Sequence, residues 1–84
     1  MAMSNTMRKY LADLELAEFG DDDELEPNAK EQIKLLKRAL NWKSHANLQH
    51  VCTYLGAEDD ERVETPEGCR EIIQEDIDCL KEDI

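Results

Sequence analysis

The sequence predicts an all-α fold, a small bundle of three to four helices in a single domain. Apolar residues recur at helical spacing in four segments, and several of these segments begin or end at residues typical of helix caps. The chain has 84 residues, of which 40% are hydrophobic, and this is enough for one modest core. A run with the sequence ERVET, residues 61–65, is the one stretch that could form a strand.

The first predicted helix covers residues 5–18. Its apolar residues recur at helical spacing: Met7, Tyr10, Leu11 and Leu14. The residues that could cap its start are Ser4, Asn5 and Thr6. Residues 1–4 are expected to be disordered. Residues 20–27 are predicted to form an acidic loop, because like charges repel and the residue before a proline avoids helical geometry.

The second and third predicted helices cover residues 28–42 and 44–55. The residues between them contain no helix breaker, so one bent helix is an alternative to two separate ones. Asn41, Ser44 and Asn47 favour a break, because such side chains form local hydrogen bonds that compete with the helix. One side of the second helix is basic, and we expect its cations to be partly neutralised inside the fold or at its margin: Lys30, Lys34, Lys37 and Arg38.

The fourth predicted helix covers residues 66–82 and has the clearest start. Thr65 is placed to cap it, Pro66 suits the first helical position, and Glu67 in the first turn interacts favourably with the helix dipole. A second acidic loop, residues 57–64, precedes it. The four helices together predict the following core: Leu11, Leu14, Ile33, Leu36, Leu40, Leu48, Val51, Leu55, Ile73, Ile77 and Leu80.

The charge of the chain is strongly negative and unevenly distributed. The formal net charge is -11, with -6 in residues 18–26, +4 in residues 27–43 and -9 in residues 58–84. A protein of this charge is not a general binder of nucleic acids or anionic membranes, because affinity for phosphates comes from Lys and Arg. Its expected partner is a protein with a basic surface.

The predicted contact surface for this partner is one side of the fourth helix. Acidic residues recur there at helical spacing, and like charges at i,i+4 are tolerated although each pair costs a few tenths of a kcal/mol. An outer face that is merely solvated is the alternative interpretation. The residues predicted to contact the partner are Glu67, Glu71, Glu75, Asp78 and Glu82, supported by Asp21, Asp22, Asp23, Asp59 and Asp60.

Catalytic and metal-binding signals are weak in this sequence. No Cys or His pair has the spacing of a zinc site, and the acidic runs lack the ligand pattern of a calcium loop. Cys52 and Cys69 are predicted to be small core residues, and Cys79 to be partly exposed. Asp76 lies on the apolar side of the fourth helix, so we expect a Lys or Arg from a neighbouring helix to pair with it. We therefore expect no enzyme activity, cofactor or metal.

Three functional hypotheses follow from the charge pattern. The first is an inhibitor that occupies the nucleic-acid-binding surface of a basic protein by presenting carboxylates in place of phosphates. In size and charge the chain is similar to small acidic proteins of phages and mobile elements, including anti-CRISPR proteins. The alternatives are a small adaptor or assembly subunit that docks through apolar helix faces, and an antitoxin-like regulator. In each case a cytoplasmic protein is expected, because three cysteines fit a secreted disulfide scaffold poorly.

Residues 44–72 also have the order of a helix-turn-helix unit: an apolar helix that ends in Leu-Gly, a turn and a second helix. A DNA-reading version would carry Arg, Lys, Asn or Gln on its second helix. Here that helix is rich in carboxylates, so direct binding to DNA is not expected.

Overall fold

The computed structural model of this protein describes residues 4–19 and 29–82. The helices are, in chain order, α1 (Asn5–Phe19), α2 (Ala29–Leu40), α3 (His45–Tyr54), a 3-10 helix (Glu61–Glu64) and α4 (Pro66–Glu82). No strand occurs within these residues, and the predicted all-α bundle is confirmed for this part of the chain. Residues 1–3 and the predicted loop 20–27 lie outside the described residues.

Three of the helices begin at a hydroxyl side chain that caps the first turn. The side-chain oxygens of Ser4, Ser44 and Thr65 accept hydrogen bonds from the backbone N–H three residues later, at 3.2, 3.3 and 3.0 Å. Each bond satisfies a donor that the first turn of a helix would otherwise leave without a partner. The predicted starts of α1, α3 and α4 are therefore correct.

Residues 41–44 separate α2 from α3, so the two segments are distinct helices. The backbone N–H groups of Asn41 and Trp42 bond to the carbonyls three residues earlier, and these tighter bonds close the end of α2. The end of α3 has a Schellman arrangement, in which Ala57 N–H donates to the Cys52 carbonyl at 2.9 Å. This arrangement requires a positive φ at the residue after the cap, and Gly56 supplies it with a φ of 85°.

The run ERVET does not form the strand that its sequence suggested. Glu61–Glu64 form a 3-10 helix instead, because Asp60 caps the turn by accepting a hydrogen bond from Arg62 N–H at 2.9 Å. The Val63 N–H closes it with a bond to the Asp60 carbonyl at 3.1 Å. No strand lies beside it in residues 4–19 and 29–82, so a β-ladder could not satisfy these groups.

The core lies mainly between α2 and α4, with α3 packed on α4 and α1 packed on α2. Seven of the eleven predicted core residues are buried: Leu14, Ile33, Leu36, Leu48, Val51, Ile73 and Ile77. The other four are only partly buried and pack against the edge of this core: Leu11, Leu40, Leu55 and Leu80. The core also contains eight residues outside the predicted list: Met7, Tyr10, Ala17, Leu35, Ala39, Cys52, Cys69 and Ile72.

Two buried hydrogen bonds join α1 to α2 in addition to the apolar contacts. The Tyr10 hydroxyl donates to the Leu35 carbonyl at 2.7 Å, and the Gln32 side-chain amide donates to the Ala17 carbonyl at 3.3 Å. The Ala17 carbonyl lies in the last turn of α1, where helical partners are missing. Gln32 therefore serves as a buried cap for α1, although the pattern of α2 marks it only as a polar residue.

Candidate functional site

The five acidic residues predicted to contact a partner from α4 are exposed along one side of that helix. We call this set the α4 stripe: Glu67, Glu71, Glu75, Asp78 and Glu82. The other side of α4 packs into the protein, where Cys69, Ile73 and Ile77 are fully buried. Neighbouring positions of such a stripe are about 5–6 Å apart at Cβ, so the carboxylates form a continuous row on a rigid support.

Arg62, in the 3-10 helix, reaches this row and pairs with two of its members. Its Nη1 atom forms ion pairs with Glu71 Oε1, at 3.1 Å, and with Glu75 Oε2. Its Nη2 atom pairs with Asp60 Oδ2 at 2.9 Å. We call these four residues the Arg62 cluster. Three carboxylates surround one cation, so the cluster keeps a formal charge of -2.

The backbone around Arg62 contacts both α3 and α4. The carbonyl of the next residue, Val63, accepts hydrogen bonds from Gln49 Nε2 at 3.0 Å and from His45 Nε2 at 2.8 Å. On the α4 side, the Arg62 carbonyl lies against Gly68, which has no side chain to keep it away. The 3-10 helix therefore places the backbone of Arg62 beside α4, and the ion pairs to Asp60, Glu71 and Glu75 hold its guanidinium.

Hydrogen bonds between Arg62 and Asp60 favour the ionised form of both groups. The side-chain and backbone hydrogen bonds from Arg62 lower the pKa of Asp60, and the bond to Asp60 is also the main reason why the pKa of Arg62 is raised. The repulsion between Glu71 and Glu75, which are four residues apart, is compensated by this cation within the chain. That pair therefore gives no sign of an external partner by itself.

The remaining predicted contact residues differ in their surroundings. Asp59 is exposed beside the Arg62 cluster, and Asp78 accepts a hydrogen bond from Gln74 Nε2 at 3.0 Å. Glu67 and Glu82 are exposed and form no ion pair within residues 4–19 and 29–82. The three aspartates of the first acidic loop lie outside the described residues: Asp21, Asp22 and Asp23.

The basic side of α2 has no ion pair to another residue in 4–19 or 29–82, and the acidic loop that precedes it lies outside these residues. Its four cations are exposed, and the ion pairs seen between described residues are those of Arg62 with Asp60, Glu71 and Glu75. The members of this basic face are Lys30, Lys34, Lys37 and Arg38. The most acidic element, α4, uses its buried side to pack on α2, so the charged sides of the two helices face solvent and do not meet. Within the described residues, the acidic side of α4 and the basic side of α2 are therefore separate surfaces.

Within residues 4–19 and 29–82, Asp76 does not form the predicted ion pair with a Lys or Arg. It is half-buried beside a cavity of about 190 Å³, which Glu18 and Tyr54 also line. The Tyr54 hydroxyl donates to Glu18 Oε2 at 2.5 Å, so the neighbouring groups are an anion and a phenol. Burial, and then the charge of Glu18, raise the pKa of Asp76. A half-buried carboxylate of this kind reduces stability when it is ionised.

The cysteines lie where the sequence predicted. Cys52 and Cys69 are buried, and Cys79 is exposed. The Cys52 thiol donates to the Cys69 carbonyl at 3.6 Å, and burial together with Cys69 raises the pKa of Cys52 to about 12. A thiol with such a pKa is a poor nucleophile at neutral pH. Within the described residues, no three His, Cys, Asp or Glu side chains are grouped to hold a metal ion.

No family model matches this sequence, and no curated protein and no solved structure matches it. None of the helices in residues 4–19 and 29–82 combines the length and the apolar character that a membrane span requires. Function is therefore inferred from the surfaces described above.

Proposed function

We propose that this protein is a non-enzymatic inhibitor that binds a basic, nucleic-acid-binding protein in the cytoplasm and presents carboxylates in place of phosphates. Small acidic proteins of phages and mobile elements, including anti-CRISPR proteins, act in this way and are similar in size and charge. The main support is the α4 stripe, whose five carboxylates are exposed on one side of a helix anchored in the core. Partners of the opposite charge are attracted to such a surface.

The Arg62 cluster supports this proposal because it orders carboxylates without cancelling them. Its formal charge is -2, and two of its three carboxylates belong to the α4 stripe. Glu71 and Glu75 are held by the guanidinium and are still more than half exposed, at 64% and 57% of their side-chain surface. Side chains that are already ordered lose less entropy on binding, so the cluster lowers the cost of association.

The adaptor hypothesis receives less support from the described surface. Docking through apolar helix faces needs exposed apolar side chains, and among the described residues the only large exposed one is Leu16, at 49%. The antitoxin-like hypothesis depends on the same carboxylates and differs in the identity of the partner. The adaptor and antitoxin-like hypotheses can therefore be distinguished from the proposal by identifying the proteins that bind and by measuring how salt changes their affinity.

The first experiment identifies the partner. The protein is immobilised and offered a cell lysate at low salt, and the retained proteins are eluted with salt, purified and titrated individually. We expect a basic nucleic-acid-binding protein whose affinity falls steeply with salt and which nucleic acid displaces, because both ligands use the same cations. A partner whose binding depends on neither salt nor nucleic acid would favour the adaptor hypothesis.

The second experiment tests the α4 stripe with a charge-matched pair of variants. The test variant carries Glu71→Gln, Glu75→Gln, Asp78→Asn and Glu82→Gln. The control carries Asp13→Asn, Glu15→Gln, Glu58→Gln and Glu64→Gln, which are exposed positions outside the predicted contact set. Both variants have a net charge of -7 in place of -11. We expect the test variant to lose most of its affinity for the partner, together with the salt dependence of that affinity, and the control to keep both. Equal losses in the two variants would mean that the partner is held by general charge attraction and not by the α4 stripe.

A further inference from the structure

A groove of about 500 Å³ lies between α1, the end of α2 and the start of α3. No residue of the α4 stripe or the Arg62 cluster lines it. Its volume is in the range of small-molecule sites, roughly 300–1,000 Å³. Its walls combine rings, cations and hydrogen-bonding groups, chiefly Lys9, Tyr10, Asp13, Arg38, Trp42 and Asn47.

The aromatic wall of this groove is held in place by the fold. The rings of Tyr10 and Trp42 are in edge-to-face contact, with centroids 4.6 Å apart and planes at 66°. The Tyr10 hydroxyl is tied to the Leu35 carbonyl at 2.7 Å, and burial raises its pKa, so the ring stays neutral. The backbone carbonyl of Trp42 accepts a hydrogen bond from Arg70 Nη2 at 2.9 Å. Trp42 is half-buried, and its remaining exposed surface is available to a flat ligand.

The groove also carries local positive charge, although the net charge of the protein is negative. Lys9 and Arg38 are exposed, and neither forms an ion pair within the residues that the structure describes. Arg38 continues the basic face of α2, with Lys37 beside it and Lys34 one turn earlier. Asp13 lines the same groove and offers the opposite chemistry, because an ionised carboxylate only accepts hydrogen bonds.

We propose that this groove binds a nucleoside monophosphate. The base would lie against Trp42, the phosphate would bind Arg38 and Lys9, and a ribose hydroxyl or base amine would donate to Asp13. Aromatic side chains stack on bases without regard to sequence, and a guanidinium binds a phosphate in two-pronged geometry. A nucleic acid polymer is disfavoured as the occupant, because its many phosphates would meet a chain of net charge -11. A single phosphate needs only the local cations.

The single tryptophan of the chain lies in the groove and provides the test. Tryptophan fluorescence is followed while adenosine monophosphate, adenosine, inorganic phosphate or a short single-stranded oligonucleotide is added at low salt. We expect a saturable change with the monophosphate and at least about tenfold weaker binding of adenosine, which lacks the charged contact. Inorganic phosphate and the oligonucleotide should also bind more weakly. No saturable change with the monophosphate, or tighter binding of the oligonucleotide, would overturn the proposal.

Two variants distinguish the groove from general charge attraction. Arg38→Gln removes the cation in the groove, and Lys30→Gln removes one from the same helix two turns away. Arg38→Gln should lower the affinity for adenosine monophosphate by about tenfold or more, whereas Lys30→Gln should leave this affinity nearly unchanged. Both positions are exposed, so both variants should fold, and thermal unfolding checks this. Equal effects would overturn the proposal without bearing on the function of the α4 stripe.

Discussion

The carbonyl oxygen of Arg62 occupies the space that a side chain on Gly68 would need. A Cβ atom built at position 68 would lie 2.0 Å from that oxygen, which is far closer than the two atoms can approach. The missing side chain allows the 3-10 helix to lie directly on the first turn of α4. This contact places the Arg62 guanidinium beside the carboxylates of the next two turns.

We predict that Gly68→Ala destabilises the protein. In an ordinary helix this change is stabilising by about 1 kcal/mol, because glycine has a poor helix propensity. Here the added methyl group must displace backbone and not a flexible side chain, so we expect a net loss of roughly 1–3 kcal/mol. Urea unfolding measures it. Glu67→Ala, at the preceding exposed position, is the control and should change stability by less than about 0.5 kcal/mol; a Gly68→Ala protein as stable as its parent would contradict the close contact.

The Arg62 cluster predicts a stability effect that depends on salt. Arg62→Gln leaves three neighbouring carboxylates without their cation, so its melting temperature should be lower than that of the parent at low ionic strength. The difference should shrink as salt rises, because exposed charges are screened. Arg62→Lys should recover only part of the loss, since an ammonium group cannot form the forked contacts of a guanidinium.

Arg8→Gln, on the exposed side of α1, removes the same charge without disturbing the cluster. We expect it to melt close to the parent at every salt concentration. If Arg62→Gln also melted like the parent at low salt, the ion pairs to Glu71 and Glu75 would contribute nothing to stability, and their ordering would not support partner binding.

The helices could be predicted from the sequence because their signals are local. Ser44, Thr65 and Gly56 act on the backbone within a few residues, and apolar spacing marks the side of each helix that packs. The partial burial of Leu11, Leu40, Leu55 and Leu80 could not be predicted in this way. Periodicity tells which side of a helix is apolar but not how far the neighbouring helix covers it.

The surroundings of the acidic residues depend on long-range packing and were predicted less well. Arg62 is nine residues from Glu71 and belongs to a turn that resembled a strand, so no spacing rule connects the two. The error over Asp76 has a similar origin, since its neighbours Glu18 and Tyr54 come from α1 and α3. A weak clue to the Arg62 contact was present in the sequence: a glycine within the first turn of an otherwise regular helix often marks a close backbone approach.

Truncation of the core between α2 and α4 should be costly. Ile73 and Ile77 are fully buried, and Ile73→Ala or Ile77→Ala should lower the free energy of unfolding by roughly 2–5 kcal/mol. Leu16→Ala removes an aliphatic side chain that is 49% exposed and serves as the control. In urea unfolding, the free energy of unfolding of the control should be well above that of the other two variants. If truncation of Ile73 or Ile77 lowered the free energy of unfolding only slightly, α4 would not be packed as described.

Asp76 predicts a dependence of stability on pH. The groups that face it across the cavity are Glu18, from α1, and Tyr54, from α3, and these two are joined by a hydrogen bond. Among the described residues that line this cavity there is no Lys or Arg. Burial and the charge of Glu18 raise the pKa of Asp76 above its ordinary value of 3.8. At a pH between 3.8 and this raised pKa, Asp76 is therefore protonated in the folded state but ionised in the unfolded chain.

The sign of the effect follows from this difference in proton binding. Protonation of Asp76 stabilises the fold fully below pH 3.8, the ordinary value, and this contribution is lost as pH rises through the raised pKa. At pH 7 the ionised carboxylate therefore destabilises the protein. Asp76→Asn, which keeps the size but not the charge, should raise the melting temperature at pH 7. Its advantage should shrink as the pH falls towards 3.8, where the parent carboxyl is neutral as well.

Thermal unfolding from pH 4 to pH 8 measures this advantage directly, with Asp78→Asn as the matched control. Asp78 is two residues away on the exposed side of α4, so the same substitution there removes a charge without changing the cavity. We expect the difference between Asp76→Asn and the parent to vary with pH far more than that of the control. If Asp76→Asn melted below the parent at pH 7, the carboxylate would have to accept a hydrogen bond that outweighs both its burial and the repulsion from Glu18.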